Sequence, residues 1–518
     1  MKKIILGILL AISTCTLAQK NQPQVTIYEE VMGYNIQNQS DIKGTKYVFS
    51  NLIHEWFWDA IHGIFTAQLR GLSKNGKWMD NNGHIVQYDL NNEQILWTKK
   101  MAYQTSWLQQ FDNTMILSNA NRSYSLDINT GKELRKIKNQ IYHVNPVERI
   151  GLGYKHSVMN EYSNELEGID LNTGEVLWSI DLIDREYGWN DSFYINDSTF
   201  IVVASGLHSI NIKNGEGWDY NTVTGQKDYS GTIAKNAIGI GLGLLTGTFV
   251  ISTGHDLVRD VVSNVSEDDS YFYLSSKEQI AKIDKQKGNV IWEQAFPKNH
   301  ASKSSIFIED DLLFMINKGY AYMGERQLDF GKAFIAAFDK ETGKQLFFSL
   351  IPVKKGPVLG FLSLENEILL VFENKLMKYS KETGDLILEK EFSEQNFGKL
   401  KYFIGNQTYI INDENRFVSL LQTDTTKVFV STNQNKILVI DDQLNVTNTI
   451  NDEDLNVYYL KANDYKFISK RNKTWITNQE GEKIAELNVS SKAFLMNNIL
   501  YDVQKNTFVV IDLTEILQ

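Results

Sequence analysis

Cysteine is all but missing from these 518 residues: Cys15 stands alone. It lies in a leader-like start, Met1-Lys-Lys-Ile-Ile-Leu-Gly-Ile-Leu-Leu-Ala-Ile-Ser13, with a basic tip and a short apolar core, followed by Thr16-Leu-Ala18. That pattern predicts a secretory signal over residues 1–18, cut to leave Gln19 first, and it is too short to span a bilayer. A lipobox at Cys15 would make a lipoprotein, but Thr14 before it fits that motif poorly, so cleavage after Ala18 is the expectation. The exported chain then holds no cysteine, which excludes disulfides and thiol chemistry in an oxidising compartment. Basic charge is also short, 52 Lys and Arg against 63 Asp and Glu for a net −11, and losing Lys2 and Lys3 deepens the deficit. Such a balance argues against nucleic acid or an anionic membrane surface as partner. Long apolar runs are missing too. The uncharged stretch Ala237–Ile251 has fifteen residues, about five short of a membrane span.

Patterns that carry chemistry are equally scarce. His54, Glu55, Asp59 and His62 are metal-ligating types, but the histidines are eight apart and His54-Glu55 lacks the second histidine of a zinc-protease helix. Asp268-Asp269, Asp310-Asp311 and Asp441-Asp442 do not follow the spacing of a calcium loop and read as turn formers. Gly239, Gly241, Gly243 and Gly247 do not fit a dinucleotide fingerprint. No nucleophile elbow or carboxylate pair stands out, so neither a metal, a cofactor nor an enzymatic activity is expected.

What the chain does have is a repeat, clearest in Gly168-Ile-Asp-Leu-Asn-Thr-Gly-Glu-Val-Leu-Trp178. Apolar runs flank a turn opened by an acidic residue, whose side chain bonds amides two residues on, and closed by a glycine supplying positive φ. Such a unit is a β-hairpin. Turn openers recur at Asp89, Asp127, Asp170, Asn221, Asp284, Asp339, Ser380, Asp441, Thr477 and, degenerate, Asp512. Glycine follows four residues on at Gly131, Gly174, Gly225, Gly288, Gly343, Gly384 and Gly481. Eight residues after the opener stands Trp97, Trp178 or Trp292, with Tyr229, Phe347 or Leu388 in weaker copies. A second polar turn precedes many openers, so each repeat reads as two hairpins, the four strands of a propeller blade.

Three stretches depart from the repeat. Leu52, Ile53, Trp56, Phe57, Ala60, Ile61, Ile64 and Phe65 recur at helical spacing and predict an amphipathic helix over 51–70. Its run Trp56-Phe57-Trp58 reads either as packing on the propeller or as an exposed anchor for a partner. Residues 231–264 form an apolar insertion, with Gly239, Gly243 and Gly247 spaced by four, Leu242, Leu244 and Leu245 as a candidate partner probe, and a short helix expected over 253–265. As the alternative, this insertion fills the mouth of the central channel. A third insertion, Lys318–Phe330, lengthens one loop, and Gln24–Tyr28 is a candidate strand to close the ring against the last repeat.

The pattern Asp-x-x-Thr-Gly-x-x-x-Trp, as at Asp170–Trp178, resembles the blade signature of PQQ-like, or quinoprotein alcohol dehydrogenase-like, β-propellers over roughly residues 80–518. The resemblance implies an all-β fold, one propeller of four-stranded blades numbering about eight, with seven as the alternative. It also implies that Trp97, Trp178 and Trp292 wedge between blades. Enzymes of that family typically use a vicinal disulfide under the quinone, which a chain with one cysteine cannot form. The non-enzymatic branch, similar in kind to the propeller of the barrel-assembly machinery, implies a periplasmic or outer-membrane-associated interaction scaffold. Its expected partner is an outer-membrane β-barrel or its complex, in barrel assembly or in occluding a secretion channel. A PQQ-dependent dehydrogenase and an extracellular sensor or adhesion propeller are the alternatives.

Overall fold

A computed structural model of the chain describes residues 23–111, 114–119, 122–155, 165–181, 189–204, 206–221, 258–259, 261–323, 326–353, 356–422 and 426–517. The repeat's turn shows why the strands end where they do. Asp170 Oδ1 accepts from the amides of Asn172 at 2.6 Å and Thr173 at 3.0 Å. Gly174, at φ 74°, donates to the Asp170 carbonyl at 2.6 Å. Related turn donors hold the carboxyls of Asp339 and Asp441 below the usual range, through the Thr342 hydroxyl and the Asn445 amide respectively. After the glycine, most copies place one extra residue in the outgoing strand. Gly168 faces Trp178 whereas Ile169 faces Val176. This β-bulge brings the aromatic to the eighth position.

One copy lacks the bulge. Ser209 faces Trp218 and Ile210 faces Gly217 without interruption. Its opener is Asn211, whose carbonyl accepts from Gly215, and its aromatic falls at the seventh position. The opener expected at Asn221 is therefore displaced by ten residues, since Asn221 ends the strand that Trp218 occupies; the expected Gly225 and Tyr229 lie outside the described residues.

Among the described residues the strands assemble into eight separate four-stranded antiparallel sheets, a three-stranded one, and one of eleven strands. The first four-stranded unit comprises Leu52–Asp59, Ile64–Leu72, Met79–Asp89 and Gln94–Ala102. The eleven-stranded sheet contains two further four-strand runs. One is Asn456–Ala462 through Lys483–Leu487; the other joins Phe494–Met496, Ile499–Gln504 and Thr507–Asp512 to Ser40–Phe49 from the chain start. Thr45, Lys46, Tyr47 and Val48 pair with Val510, Val509, Phe508 and Thr507. Closure thus uses a strand further along than Gln24–Tyr28. The strand Val25–Asn35 lies outside it and runs on to meet Leu487, Glu486 and Ala485.

Two packed faces per unit make the core. Tyr47, Phe49, Tyr501 and Phe508 of the last unit close on Ile53, Phe65, Val86 and Tyr88 of the first. Ile85, Trp97 and Met101 then meet Leu108, Met115 and Leu126 of the second, and the pattern continues unit by unit. Each large apolar side chain so buried contributes about 1.5–3 kcal/mol, which a lone four-stranded sheet exposed on both faces would forgo. The fold is a propeller.

The helix expected over 51–70 is a pair of strands, and of the helix expected over 253–265 only 258–259 and 261–265 are described, without helix. Residues 51–70 form Leu52–Asp59 and Ile64–Leu72, paired from Leu52–Arg70 to Asp59–Ile64. The register slips between Ile53 and Glu55, so the alternation of apolar residues breaks there and mimics a helical spacing. Within 253–265, Val258–Arg259 is a strand pairing with Tyr320–Met323, and Val262 bridges to Ser276. Among the described residues, helix is limited to single turns such as Glu394–Phe397.

Candidate functional site

The wedge residues decide which aromatics are free for other work. Trp97, Trp178 and Trp292 are buried. Each indole N–H donates to the carbonyl just after the next unit's turn opener: Trp97 to Ile128 at 2.9 Å, Trp178 to Ile212 at 3.0 Å, Trp292 to Lys340 at 3.0 Å. Trp218 does the same to Lys285 at 3.1 Å. Beneath each ring lies the next turn's glycine, Gly131, Gly215, Gly343 or Gly288, where a Cβ would sit within 2.4–2.7 Å of ring atoms. Two units keep this joint with cations. Arg135 donates to Thr173 O at 2.8 Å over Gly174. Lys378 donates to Asp442 O at 2.8 Å and pairs with Glu367 at 2.9 Å. These residues hold units together.

Trp56, Phe57 and Trp58 lie on the first strand of the first unit and are half-buried. Trp56 stacks on Phe494 at 5.2 Å and Phe65 at 6.0 Å, and Trp58 packs on Tyr501 at 5.0 Å and Phe508 at 5.6 Å. Phe57 points the opposite way, into the cluster that holds Trp97 and Leu108. The run joins the first unit to its two neighbours, in place of an exposed anchor. The neighbouring metal-ligating types do not converge. Asp59 makes an Asx turn with Ile61 and His62, while His54 lies against the Tyr103 ring. Among the described residues no three of His, Cys, Asp or Glu gather for a metal.

A titratable pair does face the gap between the third and fourth units. His143 stacks on Phe200 at 4.5 Å and its Nε2 lies 3.0 Å from the Tyr194 hydroxyl. Burial pushes its pKa down from the usual 6.5 to about 4.

Antiparallel strands put the turn openers on one face of the ring and the connections between second and third strands on the other. That second face is the more elaborate. Between the strands Leu312–Asn317 and Phe334–Asp339 stands an extra hairpin, Tyr320–Met323 with Arg326–Asp329. It is the realisation of the Lys318–Phe330 insertion, and its first strand takes up Val258–Arg259. A cleft of about 510 Å³ lies beside it, lined by Arg326, Gln327, Leu328, Asp329, Pro357, Leu359 and Glu373. Leu242, Leu244 and Leu245 lie outside the described residues. The first unit contributes the hairpin tip Leu72–Met79 to this face, with Trp78 exposed. Sequence reading passed over it because it falls between turn openers. The signal that marks it is Asn75-Gly76 between two apolar segments, a strong hairpin dipeptide. Among the described residues no helix is long and apolar enough to cross a membrane.

Residues 81–318 match the family model described as outer membrane protein assembly factor BamB. No curated protein matches the chain. Solved structures similar to it include BamB from Moraxella catarrhalis, 13% identical, with a TM-score of 0.30 over 78% of this chain and 96% of that one. A quinohemoprotein alcohol dehydrogenase from Comamonas testosteroni is 12% identical, with a TM-score of 0.31 over 70% and 73% of the two chains. A eukaryotic initiation factor is 11% identical, with a TM-score of 0.33 over 86% and 98%. The repeat and the ring of four-stranded sheets make this chain a β-propeller, and over residues 81–318 it is similar to the PQQ-like repeat family.

Proposed function

We propose that this propeller is an exported, non-enzymatic interaction scaffold of the cell envelope, an accessory subunit of an outer-membrane protein machinery. The observation that carries the reading is the match of residues 81–318 to the model of an outer-membrane protein assembly factor. The leader pattern of residues 1–18 supports export, and the elaborated face offers a surface for a protein partner. The partner fitting this reading is an outer-membrane β-barrel or a subunit of its complex.

Affinity purification of the tagged chain from detergent-solubilised envelope membranes, followed by mass spectrometry, tests it. An outer-membrane barrel or its assembly subunit should be enriched over an untagged control, and the purified chain should begin at Gln19. A chain that stays in the cytoplasm, or one that purifies with no envelope protein, overturns the proposal.

A further inference from the structure

The Leu72–Met79 tip combines features that no repeat requires. Trp78 is 73% exposed, Leu72 53% and Met79 37%. Exposed large apolar residues clustered on one projection mark contact surfaces, and tryptophan dominates binding hot spots. The tip is also rigid by construction. Ser73 N donates to Trp78 O at 2.8 Å, and Gly76 N to Ser73 O at 2.8 Å. Asn75 Oδ1 accepts from the Ser73 hydroxyl at 2.7 Å and from Lys77 N at 3.1 Å. At its base Arg70 lies over the Tyr103 ring at 5.0 Å and its Nε donates to Asp80 O at 2.7 Å. Its backbone needs nothing from a partner, so little ordering cost attends binding.

Two further observations say what fits it. Leu72 and Met79 are cross-strand partners and share one side of the hairpin. Trp78, one residue earlier, lies outside the strand Met79–Asp89 and is tied into the tip by the bond from Ser73 N to its carbonyl. A projecting tip that exposes three large apolar residues is enclosed more fully by a cleft than by a flat surface. The apex carries Lys74 and Lys77 with no acidic residue from Leu72 to Met79, on a chain of net charge −11. The complement is an apolar cleft floored with carboxylates.

We propose that the Leu72–Met79 hairpin inserts into an acidic-floored apolar cleft of a partner protein, with Trp78 as its main anchor and Lys74 and Lys77 meeting the carboxylates. The proposal refines the scaffold reading, rests on it, and fails separately from it.

The full-length chain is expressed with the photoreactive p-benzoylphenylalanine replacing Leu72 or Trp78 in turn, and cross-linked peptides are sequenced. Both positions should cross-link to one partner protein, through peptides that carry Asp or Glu beside apolar residues. Purified with that partner, Trp78→Ser should weaken binding roughly thirtyfold, the loss expected of a hot-spot aromatic. Lys74→Glu with Lys77→Glu should weaken it too and reverse the sign of its salt dependence, and all variants should melt like the parent. Cross-links only to lipid, only to a second copy of this chain, to two different proteins, or to nothing overturn the proposal. Undiminished binding by folded Trp78→Ser overturns it while leaving the scaffold reading intact. If the parent chain recovers no envelope partner at all, the scaffold reading itself falls.

Discussion

The joint between the third and fourth units makes a quantitative test of how the ring holds together. Trp178 is buried between two glycines, Gly168 across its own hairpin and Gly215 in the next unit's turn, and bonds to Ile212 O at 3.0 Å. Trp178→Ala removes the ring and that donor, and should cost about 3–5 kcal/mol, as for other large core aromatics. Gly215→Ala fails for two separable reasons. Gly215 sits at φ 74°, where an L-residue costs about 1–2 kcal/mol. Its new Cβ would also lie 2.7 Å from the indole, an overpacking of about 1–3 kcal/mol. Only the second term depends on the ring. The double variant should therefore be less damaged than the sum of the singles by about 1–3 kcal/mol, the coupling expected of residues in contact. Equilibrium urea unfolding of the four proteins, compared by midpoint at constant slope, measures this. Additivity to within about 0.5 kcal/mol would refute the wedge-on-glycine account of the joint.

Other outcomes follow from the same structure. Trp56→Ala should lower stability by about 2–3 kcal/mol, since the ring stacks on Phe494 and Phe65; an unchanged melt with only a lost partner would restore the exposed-anchor reading. Lys378→Met leaves Asp442 O and Glu367 without their cation and should cost about 1–3 kcal/mol, seen as a lower urea midpoint; an unshifted one would show the cationic joint to be dispensable. His143 is favoured neutral in the fold, so the stability it contributes is complete above pH 6.5 and lost as pH falls toward 4. His143→Phe should flatten that part of the pH–stability curve, and an equally steep curve would count against the assignment. PQQ with calcium should give no melting shift and no dye-coupled alcohol oxidation; a clear shift at micromolar PQQ would revive the dehydrogenase alternative, because a ligand of the folded state stabilises it by mass action.

The hairpins are legible in the sequence. An opener, a glycine four residues on and an aromatic eight residues on form a closed local circuit. The hydrogen bonds of its turn, such as those of Asp170 with Asn172, Thr173 and Gly174, lie within a few residues, and only the aromatic's indole reaches the next unit. Repetition of that circuit then implied a propeller, because one four-stranded sheet cannot cover both its faces. The shortened copy at Asn211 escaped notice because losing a single bulge residue moved its aromatic out of register. Tertiary structure alone decided the rest. Residues 51–70 carry a helical spacing, yet they pair as strands because Trp56 and Trp58 find Phe494, Tyr501 and Phe508 at the far end of the chain. It also decided which apolar residues remain uncovered, since Trp58 and Trp78 have the same side chain and differ only in whether a neighbouring unit reaches them. Turn chemistry is local and so is written locally, whereas burial depends on residues hundreds of positions away that arrive only when the ring closes.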